Sequence, residues 1–133
     1  MKKFSLLLCS LFLFYSCLNN PDPDFTYEYL PIDEAITPVS FTFGQVDTIK
    51  LKYSLPDGCH SFDDLYYESQ NTTRVVAITA FVVLGRDCAQ ETIQEEYKFT
   101  IRATQQEDYL FKFWKGKDSQ GNNIYEEVVI PVN

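Results

Sequence analysis

Cys59 and Cys88 are the two cysteines placed well inside this 133-residue chain, and the only histidine, His60, follows the first of them among Asp57, Asp63 and Asp64. An even pair of thiols in an oxidising compartment is read as a disulfide. Closing a loop of about 30 residues would stabilise a small fold by about 3 to 4 kcal/mol in the chain-entropy picture. Two separate buried thiols are the alternative. Neither cysteine has a second one at short spacing, which disfavours a zinc site. Asp57, His60, Asp63 and Asp64 could surround a cation, yet their spacing matches no calcium loop. Asp63, Asp64 and Glu68 could supply a general acid and base, but carboxylates clustered on an acidic chain are ordinarily a solvated edge. With a single histidine no hydrolytic triad is plausible. The chain is therefore expected to be non-enzymatic, with no catalytic residues, no metal and no cofactor.

Recognition chemistry is better represented. Trp114-Lys115-Gly116-Lys117-Asp118-Ser119-Gln120-Gly121-Asn122 places one aromatic ring and two cations in a polar, glycine-rich stretch at the end of an apolar run. Loops on a rigid scaffold are where binding residues concentrate. Trp114, Lys115 and Lys117 are the binding candidates there, the alternative being a surface hairpin with Trp114 packed as core. Tyr66 and Tyr67 could form an aromatic platform for sugars, although strand alternation would bury one and expose the other. The expected partners are an envelope protein or a glycan. Nucleic acid is excluded by charge: 11 Lys and Arg stand against 19 Asp and Glu, a net of −8, and phosphate binding needs clustered cations.

The remaining cysteines lie in a segment with a different purpose. Lys2 and Lys3 precede the apolar run from Phe4 to Phe14, and small Ser16 comes directly before Cys17, the layout of an export signal. The run is shorter than the roughly 20 apolar residues of a membrane span. Phe14-Tyr15-Ser16-Cys17 resembles the lipobox of bacterial lipoproteins. That resemblance implies cleavage after residue 16, a diacylated Cys17 and attachment to a membrane through the lipid. Cys9 competes as the modified residue, but cutting there would leave too short an apolar core. A soluble secreted domain is the other alternative.

Residues 1–16 are thus expected to be a signal peptide, and residues 17–38 a lipidated cysteine and extended tether stiffened by Pro21, Pro23, Pro31 and Pro38. The alternation of Phe25-Thr26-Tyr27-Glu28-Tyr29-Leu30 leaves a first strand open as the other reading of that segment. Residues 39–133 are expected to form one domain. A hairpin is read from Phe41 and Phe43 through Gly44-Gln45 to Ile49, Leu51 and Tyr53. A strand follows at 62–68. Arg74 to Leu84 is apolar on both parities, which predicts either a central strand covered on both sides or one that changes partner midway. Tyr97, Phe99, Ile101 and Ala103 alternate, as do Tyr109, Phe111 and Phe113, and a last strand runs through Ile124 and Ile130. The expectation is an all-β protein, an antiparallel sandwich of about seven strands.

Glu107-Asp108-Tyr109-Leu110-Phe111 resembles the corner of immunoglobulin-like domains, where a tyrosine opens the sixth strand, with Phe111 in place of an antibody domain's cysteine. The short signal, acidic linker and aromatic-rich ending around FKFWKGKD resemble the small surface lipoproteins of Bacteroidota. That resemblance implies an outer-membrane lipoprotein, surface-exposed or periplasmic, and no activity.

Overall fold

The structure is a computed structural model that describes residues 24–133; the signal segment, Cys9 and Cys17 lie outside the described residues. Strand β5 (Thr73–Val83) organises it. One edge of β5 pairs along its length with β4 (His60–Gln70), from Gln70 opposite Thr73 to His60 opposite Val82. Its other edge is shared. Thr73 to Val76 pair in parallel with β7 (Tyr109–Lys117), and Ile78 to Val83 then pair antiparallel with β1 (Phe25–Leu30). This is the change of partner that apolarity on both parities predicts. β8 (Asn123–Ile130) pairs with β7 and completes a five-stranded sheet. The second sheet has three strands in the order β2 (Ile32–Ile36), β3 (Val46–Leu55) and β6 (Ile93–Arg102).

The two sheets form a β-sandwich, packed chiefly through the alternate residues that β3, β5 and β7 bury on one face. Ile49, Leu51, Tyr53 and Leu55 project from β3; Val76, Ile78 and Ala80 come from β5, and Tyr109, Phe111 and Phe113 from β7. Phe41, outside any strand, completes an aromatic cluster with its ring 5.2 Å from Tyr109 and 6.3 Å from Phe111. Tyr109 opens β7, the seventh strand here rather than the sixth. Its hydroxyl accepts a hydrogen bond from the Thr104 backbone N–H at 3.1 Å, and the Arg74 guanidinium lies 4.9 Å above its ring. The parallel β5–β7 pair departs from the all-antiparallel sheets of the immunoglobulin plan.

Three expectations are corrected. Residues 25–36 are not tether: β1 and β2 are sandwich strands, so the folded unit begins by Phe25 rather than at Val39. Pro31 does not stiffen a linker but sits at the corner where the chain passes from one sheet to the other, between fully packed Leu30 and Ile32. The hairpin from Phe41 to Tyr53 does not form. β3 takes β2 and β6 as neighbours, Phe41 bridges Val132 in parallel, and Phe43 is exposed. Finally, there are eight strands among the described residues rather than about seven, the supposed tether supplying two and the expected Phe41–Phe43 arm none.

Candidate functional site

The outer faces of the two sheets differ in chemistry. The three-stranded sheet presents charge, with Lys50 beside Glu96 at 3.8 Å and Lys52 beside Glu34 at 2.7 Å. A recess of about 470 Å³ on that side, lined by Asp33, Glu34, Lys52 and their neighbours, is a gap among such surface pairs. The five-stranded sheet presents rings. Phe25, Tyr27 and Tyr29 alternate along the outer face of β1 and are 43%, 54% and 50% exposed. Phe81 stacks on Phe25 at 5.1 Å. Tyr29 meets Tyr66 of β4 at 5.4 Å and Trp114 of β7 at 6.0 Å, both edge to face. Such a run of aromatics on the solvent face of a sheet lies outside the core.

Part of this face is concave. A groove of about 340 Å³ has Val75 and Ala77 as its floor, and Tyr29, Tyr66, Trp114 and Tyr125 among its walls. Register explains the assembly. Tyr66 lies opposite Ala77, Trp114 lies opposite Tyr125, and the parallel pair Val76 and Phe113 sets Ala77 and Trp114 side by side on the outer face. A small residue between large ones makes the trough.

A bulge adds the polar rim. Between Trp114 and Gly116 the β7–β8 register slips by one residue, and Gly116 adopts a φ of 110°, where a side chain would be strained. The slip restores Lys117 to the face that carries Trp114, so Lys117 and Asn123 line the groove. Lys115 is turned away, donating to the Asp33 carbonyl at 2.7 Å and lying 3.6 Å from Glu126.

The polar tips of the aromatic walls are tied to neighbours. Trp114 Nε1 donates to Asn123 Oδ1 at 3.1 Å, and the Tyr66 hydroxyl donates to Glu68 at 2.6 Å. Gln70 also donates to Glu68, at 2.9 Å. The Glu68 hydrogen bond first, then burial, pushes the Tyr66 phenol up to about 12, and the same hydrogen bond holds the Glu68 carboxyl below its ordinary value. Lys112 lies 4.6 Å above the Tyr125 ring. Trp114 and Tyr66 are thus tied at their polar tips, Tyr29 and Tyr125 make ring and cation contacts, and the ring faces and edges are what the groove offers.

Among the residues singled out from sequence, Tyr66, Trp114 and Lys117 come together here, while Lys115 and Tyr67 do not. Tyr67 has the opposite parity and sits at the sandwich edge, 5.9 Å from Phe99. Tyr29, Tyr125, Asn123, Gln70 and Lys112 were not anticipated. The alternation of Phe25, Tyr27 and Tyr29 was the available signal, legible once that segment is placed in a sheet.

The two inner cysteines form the Cys59–Cys88 disulfide, with Cα atoms 5.4 Å apart. It ties the β3–β4 and β5–β6 connections together. Beside it, His60 joins two carboxylates: its Nδ1 lies 2.6 Å from Asp57 and its Nε2 2.6 Å from Glu28 of β1. Glu28 and His60 belong to the strands on either side of β5, Glu28 opposite Ala80 and His60 opposite Val82, so the two reach each other diagonally across that strand. The set is a clamp on β1. Asp63 and Asp64 do not enter it; Asp63 falls in the β4 bulge and Asp64 accepts from the Leu65 backbone.

Burial lowers the affinity of His60 for its proton, but the hydrogen bonds and charges of Asp57 and Glu28 outweigh it and the net direction is up. A folded-state pKa above the unfolded one adds stability that is complete below the unfolded value of about 6.5. That stability is lost as pH rises through the higher folded value. Asp57 acts in the reverse sense, since its hydrogen bond to His60 lowers its pKa; its contribution is present above the usual carboxylate range and lost on acidification. Chemical unfolding should thus show greatest stability in mildly acidic buffer, and a fall of on the order of 1 kcal/mol above neutrality, the scale of a part-exposed ion pair. His60→Gln should remove that alkaline fall; an unchanged slope would remove the clamp from the account.

Comparison with family models, curated proteins and solved structures finds no match to the chain.

Proposed function

We propose that the protein is a non-enzymatic binding module of the bacterial cell envelope, attached to the outer membrane by lipid on Cys17, whose partner contacts the outer face of the five-stranded sheet. The observation that carries this reading is the aromatic groove, with Tyr29, Tyr66, Trp114 and Tyr125 held by neighbouring groups on a face the core does not need. Pre-fixed aromatic side chains give contact area at little ordering cost. The lipobox-like Cys17 and acidic composition support the location. β1 begins eight residues after Cys17, so a lipid there would keep this face close to the membrane.

Photo-crosslinking in intact cells tests both parts. A photoreactive residue at Tyr27, on the aromatic face, is expected to give adducts in the membrane fraction, whereas one at exposed Lys98 on the other sheet is not. Cys17→Ala should move the protein out of that fraction. Equal capture from the two faces, or none from either, would remove the binding reading, and a membrane-retained Cys17→Ala protein would remove the anchor.

A further inference from the structure

The groove's free chemistry narrows its ligand. Its walls are ring faces set at steep angles, 74° between Tyr29 and Tyr66 and 63° between Tyr29 and Trp114. A flat apolar partner surface would not fill such a corner, but a saturated ring with one C–H face and equatorial hydroxyls would. From Tyr66 to Tyr125 the trough crosses β4, β5, β7 and β8, three strand spacings or about 14 Å. That is the length of two or three pyranose units.

Hydrogen-bonding capacity points the same way. The groove's one carboxylate, Glu68, already accepts from Tyr66 and Gln70, and the Asn123 carbonyl accepts from Trp114. Two donors stand out among what is left over. The Asn123 amide N–H₂ and the Lys117 ammonium, which makes no ion pair among the described residues, stand at the end of the trough beside Trp114. Lys112 also lines it, but its ammonium lies 3.8 Å from Glu127 and is partly offset. On a chain of net charge −8, the Lys117 ammonium at the end of the groove is a local positive site, since Lys112 is paired with Glu127 and Glu68 is engaged by Tyr66 and Gln70. It suits a ligand rich in acceptor oxygens, carboxylates included.

We propose that this trough binds an oligosaccharide bearing uronic acid units, its sugar faces stacked on Trp114 and Tyr29 and a carboxylate beside Lys117. The inference rests on the binding-module reading and supplies its ligand class. It also explains the bulge at Gly116, whose effect is to bring Lys117 to the aromatic face.

Trp114 is the only tryptophan in the chain, so intrinsic fluorescence reports on this groove alone. The full chain would be titrated with hexasaccharides of galacturonate, of mannuronate and of guluronate, and with cellohexaose, maltohexaose and mannohexaose as neutral counterparts. A saturable change with a uronate chain is expected, weakened about tenfold by Tyr29→Ala and by Tyr66→Ala through lost stacking. Lys117→Gln, a surface change that should leave the unfolding midpoint in place, is expected to weaken uronate binding and its salt dependence together. Lys98→Gln should do neither. Silence with every hexasaccharide, or tightest binding to a neutral one unaffected by Lys117→Gln, overturns the proposal. If silence is accompanied by polypeptide adducts from the photoreactive residue at Tyr27, the groove belongs to a protein partner and the binding-module reading stands; if there are no adducts either, both fall.

Discussion

Phe111→Ala is expected to lower the unfolding free energy by about 3 to 5 kcal/mol, the range for emptying a fully packed aromatic site. Phe111 is completely buried at the centre of β7. It stacks on Phe113 at 5.6 Å and on Tyr109 at 6.1 Å, and the Phe41 ring meets it edge on. Those three neighbours come from one strand and from an irregular segment tied to the chain end, so the site has few ways to collapse. Phe41 is held by backbone hydrogen bonds to Pro131 and Asn133, and the Tyr109 ring is pinned by Thr104 and Arg74. Against a total of about 5 to 15 kcal/mol for a domain, such a loss is a large fraction. Denaturant unfolding should show a lower midpoint with a similar slope. Val129→Ala, at a position 60% exposed on β8, should stay within about 0.5 kcal/mol. A loss below about 1.5 kcal/mol for Phe111→Ala would mean that the aromatic cluster repacks.

The core was legible in the sequence because its strands follow a period of two with the large residues inward. Tyr109, Phe111 and Phe113 alternate, as do Tyr97, Phe99, Ile101 and Ala103, and the structure packs both sets on or into the core. β5 was legible for a different reason, since a strand with β4 on one edge and two successive partners on the other is apolar on both parities. β1 inverts that rule. Its rings face solvent, and the positions between them include Glu28, which is itself exposed and pairs with His60 of a distant strand. Acidic residues and prolines then look like a linker. The groove was half legible: composition marks Trp114, Lys117 and Tyr66, but Tyr29 and Tyr125 join them through pairings far apart in sequence. The slip at Lys115 that turns Lys117 to the same side is set by the backbone of Gly116 and not by any hydrophobic pattern.

Removing the Cys59–Cys88 bridge should cost a comparable amount, about 3 to 4 kcal/mol. The sequence separation is 29 residues, and the entropy of closing a loop of that size in the unfolded chain is of this order at room temperature. The competing consideration is that the bridged loops are also held by other bonds. Gly58 N–H donates to the Ala89 carbonyl at 2.9 Å, Val83 N–H donates to the Cys59 carbonyl at 3.0 Å, and Asp57 accepts from the Cys59 N–H at 2.8 Å. Those bonds belong to the folded state alone and do nothing to restrict the unfolded chain. The bridge should therefore act mainly on the unfolded ensemble, leaving the folded loops in place when it is removed. Cys59→Ala with Cys88→Ala is expected to keep the near-ultraviolet signature and the Trp114 environment while the unfolding midpoint drops and the denaturant slope rises, as the freed chain exposes more surface. A slope and midpoint both unchanged would show that the loop hydrogen bonds alone maintain this end of the sandwich. Loss of the native signature together with the midpoint would show that the bridge positions the loops themselves, and with them the His60 clamp on β1 that carries Tyr29 into the groove.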